Sequence, residues 1–133
     1  MAISERKDGL TQIHILNTKD NSSHYLKFDE AAYAANIAYI PDYNTDVMRY
    51  NYTSLTTPNS VYDYNMVTKD KKLMKQQEVV GSFKPADYET ERVMATAKDG
   101  TKIPISIVYK KGFTKDGNAP LMLYGYGSYG ASM

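Results

Sequence analysis

Gly125-Tyr126-Gly127-Ser128-Tyr129-Gly130 is the stretch of this 133-residue chain whose residue types and spacing could carry chemistry. As G-x-G-x-x-G it matches the pattern in which glycines let backbone approach a pyrophosphate at a helix N-terminus. That reading needs a helix after the pattern and an acidic residue about 20 positions on. The sequence ends at Met133, before either requirement can be met. A second reading is acyl transfer, in which a glycine-rich turn after a buried strand holds a donor beside a scissile carbonyl. A tyrosine hydroxyl suits that task, because it is neutral near pH 7 and donates to developing negative charge. The third reading is a tight turn whose glycines relieve crowding while the tyrosines pack. Spacing alone leaves all three open.

Other candidates are weaker. Ser128 has Tyr126 two positions before it, so it does not stand in a G-x-S-x-G elbow and is a poor nucleophile. His14 and His24 have no cysteine and no close histidine partner, so no metal site is expected. Asp42, Asn44 and Asp46 are spaced somewhat like calcium-loop ligands, but the glycine and the distal glutamate are missing. Asn21-Ser22-Ser23 and Asn51-Tyr52-Thr53 are glycosylation sequons by pattern, which matters only with a secretory signal. No cofactor is expected.

Composition bounds the class. The chain is 42% hydrophobic and 23% charged, as ordinary soluble globular proteins are. A net charge of +1 gives no electrostatic support to a nucleic-acid or anionic-membrane partner. No apolar run approaches the ~20 residues of a membrane span. The first seven residues lack the apolar stretch of a signal peptide and start with charges, as an internal segment would. The absence of cysteine removes disulfides, thiolate catalysis and cysteine zinc sites, and suits a reducing compartment. Thirteen tyrosines stand against three phenylalanines and no tryptophan. They predict a β-rich core of half-buried rings, with a tyrosine-lined binding surface as the rival.

The elements that would position the glycine-rich stretch are strands. Period-two alternation predicts strands over 10–16, 48–55, 60–66 and 73–80, separated by polar turns at 17–21, 57–59 and 68–72. Such a four-strand meander is what one β-propeller blade needs. Residues 30–36 have helix-forming composition, although their alanines equally lead into a strand over 37–40. A boundary falls at 81–86. Beyond it, two strand-like runs flank Asp99-Gly100, a hairpin signal because glycine adopts positive φ cheaply. Pro104 lies in the second run and belongs at an edge, since it cannot donate to a ladder. The apolar run 120–124 predicts a short buried strand leading into the glycines.

Three stretches resemble the prolyl oligopeptidase family of serine peptidases, in its oligopeptidase B branch. They are RYNYTSLTTPNSVYDY at 49–64; YETER at 88–92 with DGTKIPIS at 99–106 and YKKG at 109–112; and PLMLYGYGSYGASM at 120–133. They cover most of the chain from about Asp46 onward, while the first 45 residues match only loosely. The resemblance implies a seven-bladed propeller capping an α/β-hydrolase domain with a Ser-His-Asp triad. Residues 1–82 would then be the C-terminal part of the propeller, and 83–133 the first strands of the hydrolase sheet. The fold class expected is therefore mainly β. Tyr126 falls on the family's oxyanion-hole tyrosine. Tyr129 falls on an aromatic position near the substrate pocket, where the prolyl-specific branch carries phenylalanine.

That branch cuts short peptides after Lys or Arg, so the resemblance implies a peptide substrate and no cofactor; with no signal stretch and no cysteine, a cytoplasmic setting is expected. Its serine elbow, triad aspartate and histidine lie downstream of the matching stretch. The chain is accordingly expected to be a fragment, inactive alone, whose exposed sheet edges favour self-association. The alternatives are a stand-alone tyrosine-rich β module that binds a ligand, or the opening of a dinucleotide-binding domain.

Overall fold

A computed structural model of the chain describes residues 1–129. They form nine strands and no α-helix. β1 (Ala2–Lys7), β2 (Leu10–Leu16) and β3 (Ser23–Tyr25) make an antiparallel sheet in that order. β4 (Tyr33–Ile37), β5 (Val47–Ser54), β6 (Ser60–Asn65) and β7 (Lys71–Gln76) make a four-stranded antiparallel meander, also in chain order. After a 3-10 turn at Pro85–Asp87, β8 (Tyr88–Thr96) and β9 (Lys102–Lys110) form a hairpin. The mainly β architecture follows the alternating pattern of the sequence, but the meander has a different first strand: the run at 10–16 is β2 of the first sheet, and β4 takes its expected place beside β5.

Alternation works where one face is buried. In β5 the side chains of Met48, Tyr50 and Tyr52 go inward while Val47, Arg49 and Asn51 stay exposed. Ile13, Ile15, Leu26, Ala35 and Tyr64 join them in one core between the first two sheets. Phe28 stacks on Tyr52 and Tyr50 on Tyr62, each at 5.3 Å between centroids. Tyr50, Tyr52 and Tyr64 are buried in this β core with Tyr33 and Tyr62 against it, while Tyr25, Tyr39, Tyr43, Tyr124, Tyr126 and Tyr129 stay exposed. Burial pushes the Tyr50 and Tyr52 hydroxyls well above the ordinary phenol range, so both stay neutral, and Tyr52 donates to Glu30 Oε2.

β1, β4 and β7 depart from expectation. β1 is polar and shows no apolar period, yet all six residues pair with β2. Charged side chains are what a sheet edge tolerates, so its composition marks an edge strand. The helix-forming run at 30–36 is strand from Tyr33 onward. Its small alanines let β4 pack against β2, where the Ala35 amide donates to Thr11 Oγ1 at 3.0 Å. Tertiary packing overrides the helix propensity of alanine here. β7 stops at Gln76 because β6 starts at Ser60, its register partner, and only the Gln77 amide bonds beyond it, to Asn59 O.

The hairpin turns through Gly100 at φ +88°, with the Ala97 amide bonded to Thr101 O at 2.9 Å. Pro104 sits opposite Met94 in β9, which pairs only with β8, so its missing donor is tolerated. The run at 120–124 forms no strand. No described strand lies beside it, and Leu121, Met122 and Leu123 stay more than four-fifths exposed. An apolar run becomes a strand only when a neighbour accepts its ladder.

One bond ties the two propeller-like sheets by a titratable group. His24 Nε2 on β3 and the Tyr64 hydroxyl on β6 share a hydrogen bond at 2.8 Å. Burial, then the charges of Lys69 and His14, hold the His24 imidazole below its ordinary value of 6.5. The unfolded chain therefore binds the proton first as pH falls below 6.5, and stability drops from there downward. Urea unfolding of His24→Gln is expected to lose that part of the slope between pH 7 and 5; an unchanged slope would refute the assignment.

Candidate functional site

The glycine-rich stretch hangs from the hairpin by a pinned loop. Glu91 on β8 accepts hydrogen bonds from the Tyr109 hydroxyl on β9 and from Lys115 Nζ. Lys115 also lies 4.5 Å from the centre of the Tyr109 ring, and Phe113 packs at its edge. The hydrogen bonds from Lys115 and then Tyr109 hold the Glu91 carboxyl below its ordinary range. The chain then passes through Pro120 into a segment without regular secondary structure that carries both predicted site residues.

Tyr126 is half exposed, and no described residue hydrogen-bonds its hydroxyl. Tyr129 is fully exposed and sits in the left-handed region at φ +55°. A Cβ on Gly125 or Gly127 would meet nothing within 4 Å, so neither glycine relieves crowding among the described residues. Neither tyrosine joins the aromatic cluster of the core. The third glycine of the pattern, Gly130, and the Ala131-Ser132-Met133 that follows lie outside the described residues. The helix that the pyrophosphate reading requires would begin behind the pattern, outside the described residues.

The remaining candidates are structural. His14 Nδ1 donates to Glu5 Oε1 at 3.0 Å and its ring stacks on Tyr25 at 4.4 Å, linking β1, β2 and β3. The Asn44 amide donates to Asp42 Oδ1 at 2.9 Å, a turn rather than a cation loop. Among the described residues no group of three His, Asp or Glu could hold a metal ion. None of their helices is long and apolar enough to cross a membrane.

One polar centre escaped the sequence reading. Glu30, in the link before β4, accepts from Ser54 Oγ and Thr56 Oγ1 on one oxygen and from Tyr52 and Thr57 hydroxyls on the other. The hydroxyl-rich run Ser54-Leu55-Thr56-Thr57 is visible in the sequence, but nothing there points to a carboxylate more than twenty residues away.

A protein-family model described as the N-terminal β-propeller domain of prolyl oligopeptidase matches residues 1–77. The chain belongs to the prolyl oligopeptidase family. Dipeptidyl aminopeptidase BI of Pseudoxanthomonas mexicana is 46% identical over 132 residues, covering 98% of this chain and 18% of that protein. Protease 2 of Moraxella lacunata is 33% identical and covers 99% of this chain and 19% of its own. Among solved structures, oligopeptidase B from Trypanosoma brucei with covalently bound antipain, in its closed form, superposes with a TM-score of 0.85. It is 37% identical and covers 97% of this chain and 19% of that one. Oligopeptidase B from Leishmania major gives 0.86 at 34% identity, over 99% of this chain and 20% of that one. The chain thus spans about a fifth of the length of these relatives.

Within the family, β1–β7 belong to the propeller match, and the four-stranded meander has the form of one blade. The relatives named above continue beyond it, over the hairpin and the segment that follows.

Proposed function

We propose that this chain is part of a serine oligopeptidase that hydrolyses short peptides after Lys or Arg in the cytoplasm. Residues 1–82 are the last part of its propeller, and 83–133 are the first strands of its α/β-hydrolase domain. The observation that carries this reading is the extent of the likeness. Two oligopeptidase B structures cover at least 97% of the chain, whereas the propeller family model ends at residue 77. The hairpin and the glycine-rich segment therefore resemble something oligopeptidases share outside the propeller model.

In this reading Tyr126 donates to the oxyanion of the tetrahedral intermediate and Tyr129 lines the substrate pocket. An oxyanion donor must reach within about 2.7–3.1 Å of the developing charge without being committed elsewhere. The uncommitted Tyr126 hydroxyl meets the second condition. The serine, histidine and aspartate of the triad come from beyond these residues. Donors alone leave only residual catalysis, so the 133-residue chain is inactive by itself. The free edges of β8 and β9 and the exposed run at 120–124 give the isolated chain a means to self-associate.

A second reading of specificity comes from the relative named a dipeptidyl aminopeptidase, at 46% identity. It would restrict cleavage to dipeptides released from a free N-terminus. One experiment tests both. The coding frame is extended past Met133, and the purified product is assayed on fluorogenic peptides ending in Arg, Lys, Pro or Ala, with free and blocked N-termini. Cleavage after Arg and Lys, abolished by a serine-directed phosphonate, is expected from the long product and not from the 133-residue chain. Loss of cleavage on blocking the N-terminus selects the dipeptidyl reading. Turnover by the short chain, or no cleavage after a basic residue, overturns the proposal.

A further inference from the structure

Between β1, β2, β4 and the β8–β9 hairpin lies a cavity of about 220 Å³. Its polar lining is Arg6, Thr11, Tyr33, Asn36, Arg92 and Ser106, and no carboxylate is among the lining residues. The two guanidinium groups converge on one residue. Arg6 Nη1 donates to Gly9 O at 3.3 Å, and a Cβ built on Gly9 would stand 3.2 Å from Arg92 Nη2. Gly9 sits at φ +81° and against Pro104, so this approach is fixed by backbone.

Neither arginine takes part in any ion pair among the described residues. Glu5 is engaged with His14 and Tyr25, and Glu91 with Tyr109 and Lys115, while Asp8 beside Gly9 makes no ion pair with either arginine. Two guanidinium groups facing one small cavity repel one another, and a carboxylate or phosphate between them converts that repulsion into charge-assisted hydrogen bonds. The rest of the lining suits the same guest, because the Ser106 hydroxyl and the Asn36 amide both donate. Tyr33 supplies a third donor, since burial raises its hydroxyl's pKa despite the opposing pull of Arg92.

We propose that this cavity binds a small oxyanion, a phosphate or a carboxylate, that bridges Arg6 and Arg92. The volume is several times the ~30 Å³ share of a water molecule. It falls below the roughly 300–1,000 Å³ of sites for drug-sized ligands, so a nucleotide does not fit. The site draws on the first sheet, on β4 of the second and on the hairpin, and an anion held there braces the hairpin against the propeller strands. None of this depends on the peptidase reading.

The test is thermal unfolding of the 133-residue chain in sodium phosphate, sulfate or acetate, with sodium chloride holding ionic strength constant. A ligand of the folded state raises the midpoint with its concentration, by roughly 10 °C when phosphate stands 100-fold above its Kd. A rise with phosphate and sulfate alone assigns a tetrahedral anion; a rise with acetate alone assigns a carboxylate. Arg92→Met and Arg6→Met, which keep the apolar stems, are each expected to lose the rise, while Arg92→Lys keeps part of it. Equal stabilisation by chloride, or a rise that survives both Met variants, overturns the proposal. Should those variants fail to fold, line broadening of inorganic phosphate in 31P spectra and of acetate in 1H spectra by the wild-type chain decides, and unbroadened lines from both anions overturn it.

Discussion

Replacing Glu30 with alanine is expected to destabilise the chain by roughly 2–4 kcal/mol, among the larger effects a half-buried polar residue can have. Both carboxylate oxygens are filled, Oε1 by Ser54 Oγ at 2.5 Å and Thr56 Oγ1 at 2.8 Å. Oε2 takes the Tyr52 hydroxyl at 2.5 Å and Thr57 Oγ1 at 2.9 Å. Ser54 Oγ in turn accepts the amides of Thr56 and Thr57, so the whole β5–β6 turn is wound about one carboxylate. Hydrogen bonds to a charged group contribute about 1.5–3 kcal/mol each, but these four share one acceptor. Their hydroxyls can also turn toward water once it is gone. The loss therefore falls well short of the sum.

The pH dependence of the same variant identifies the mechanism. Burial pushes the Glu30 carboxyl upward, but the bonds from Ser54, Tyr52, Thr56 and Thr57 together outweigh it and leave the group below 4.5. Its contribution is complete above about pH 4.5 and is lost as pH falls through the lower folded value. The gap between wild type and Glu30→Ala in urea unfolding should be full at pH 7 and narrow on acidification below 4.5. A gap under about 0.5 kcal/mol at pH 7, the level of an ordinary surface change, would sink the argument.

What was legible in the sequence follows from which signals are local. β2, β5 and β6 were readable because each alternates against a single buried face, as Met48, Tyr50 and Tyr52 do. The turn at Gly100 was readable because positive φ is a property of one residue. β1 was not, because an edge strand needs no apolar period when β2 supplies its ladder. β4 was not, because alanine propensity and alanine packing point to different structures and packing wins. The Glu30 centre and the Arg6–Arg92 cavity gather residues from distant parts of the chain, and no spacing rule reaches them. Spacing likewise left the glycine-rich segment with three readings, and the proposal among them rests on the ordered motifs of a family.

On the proposed reading, Tyr126→Phe in the long oligopeptidase is expected to lower kcat by roughly 10²–10³-fold with KM nearly unchanged. The substitution removes one oxygen. A donor aimed at the oxyanion strengthens only as the carbonyl becomes tetrahedral, so its loss falls on the transition state and not on substrate binding. A structural role predicts something else. Tyr126 is half exposed and its hydroxyl bonds to no described residue, so the phenylalanine variant should unfold within about 0.5 kcal/mol of wild type. Tyr129→Phe supplies the contrast, since a pocket-lining hydroxyl acts on KM. Activity that falls in step with stability would make Tyr126 a packing residue. A change in kcat below about three-fold would remove it from the oxyanion hole, and the glycines around it would need another purpose.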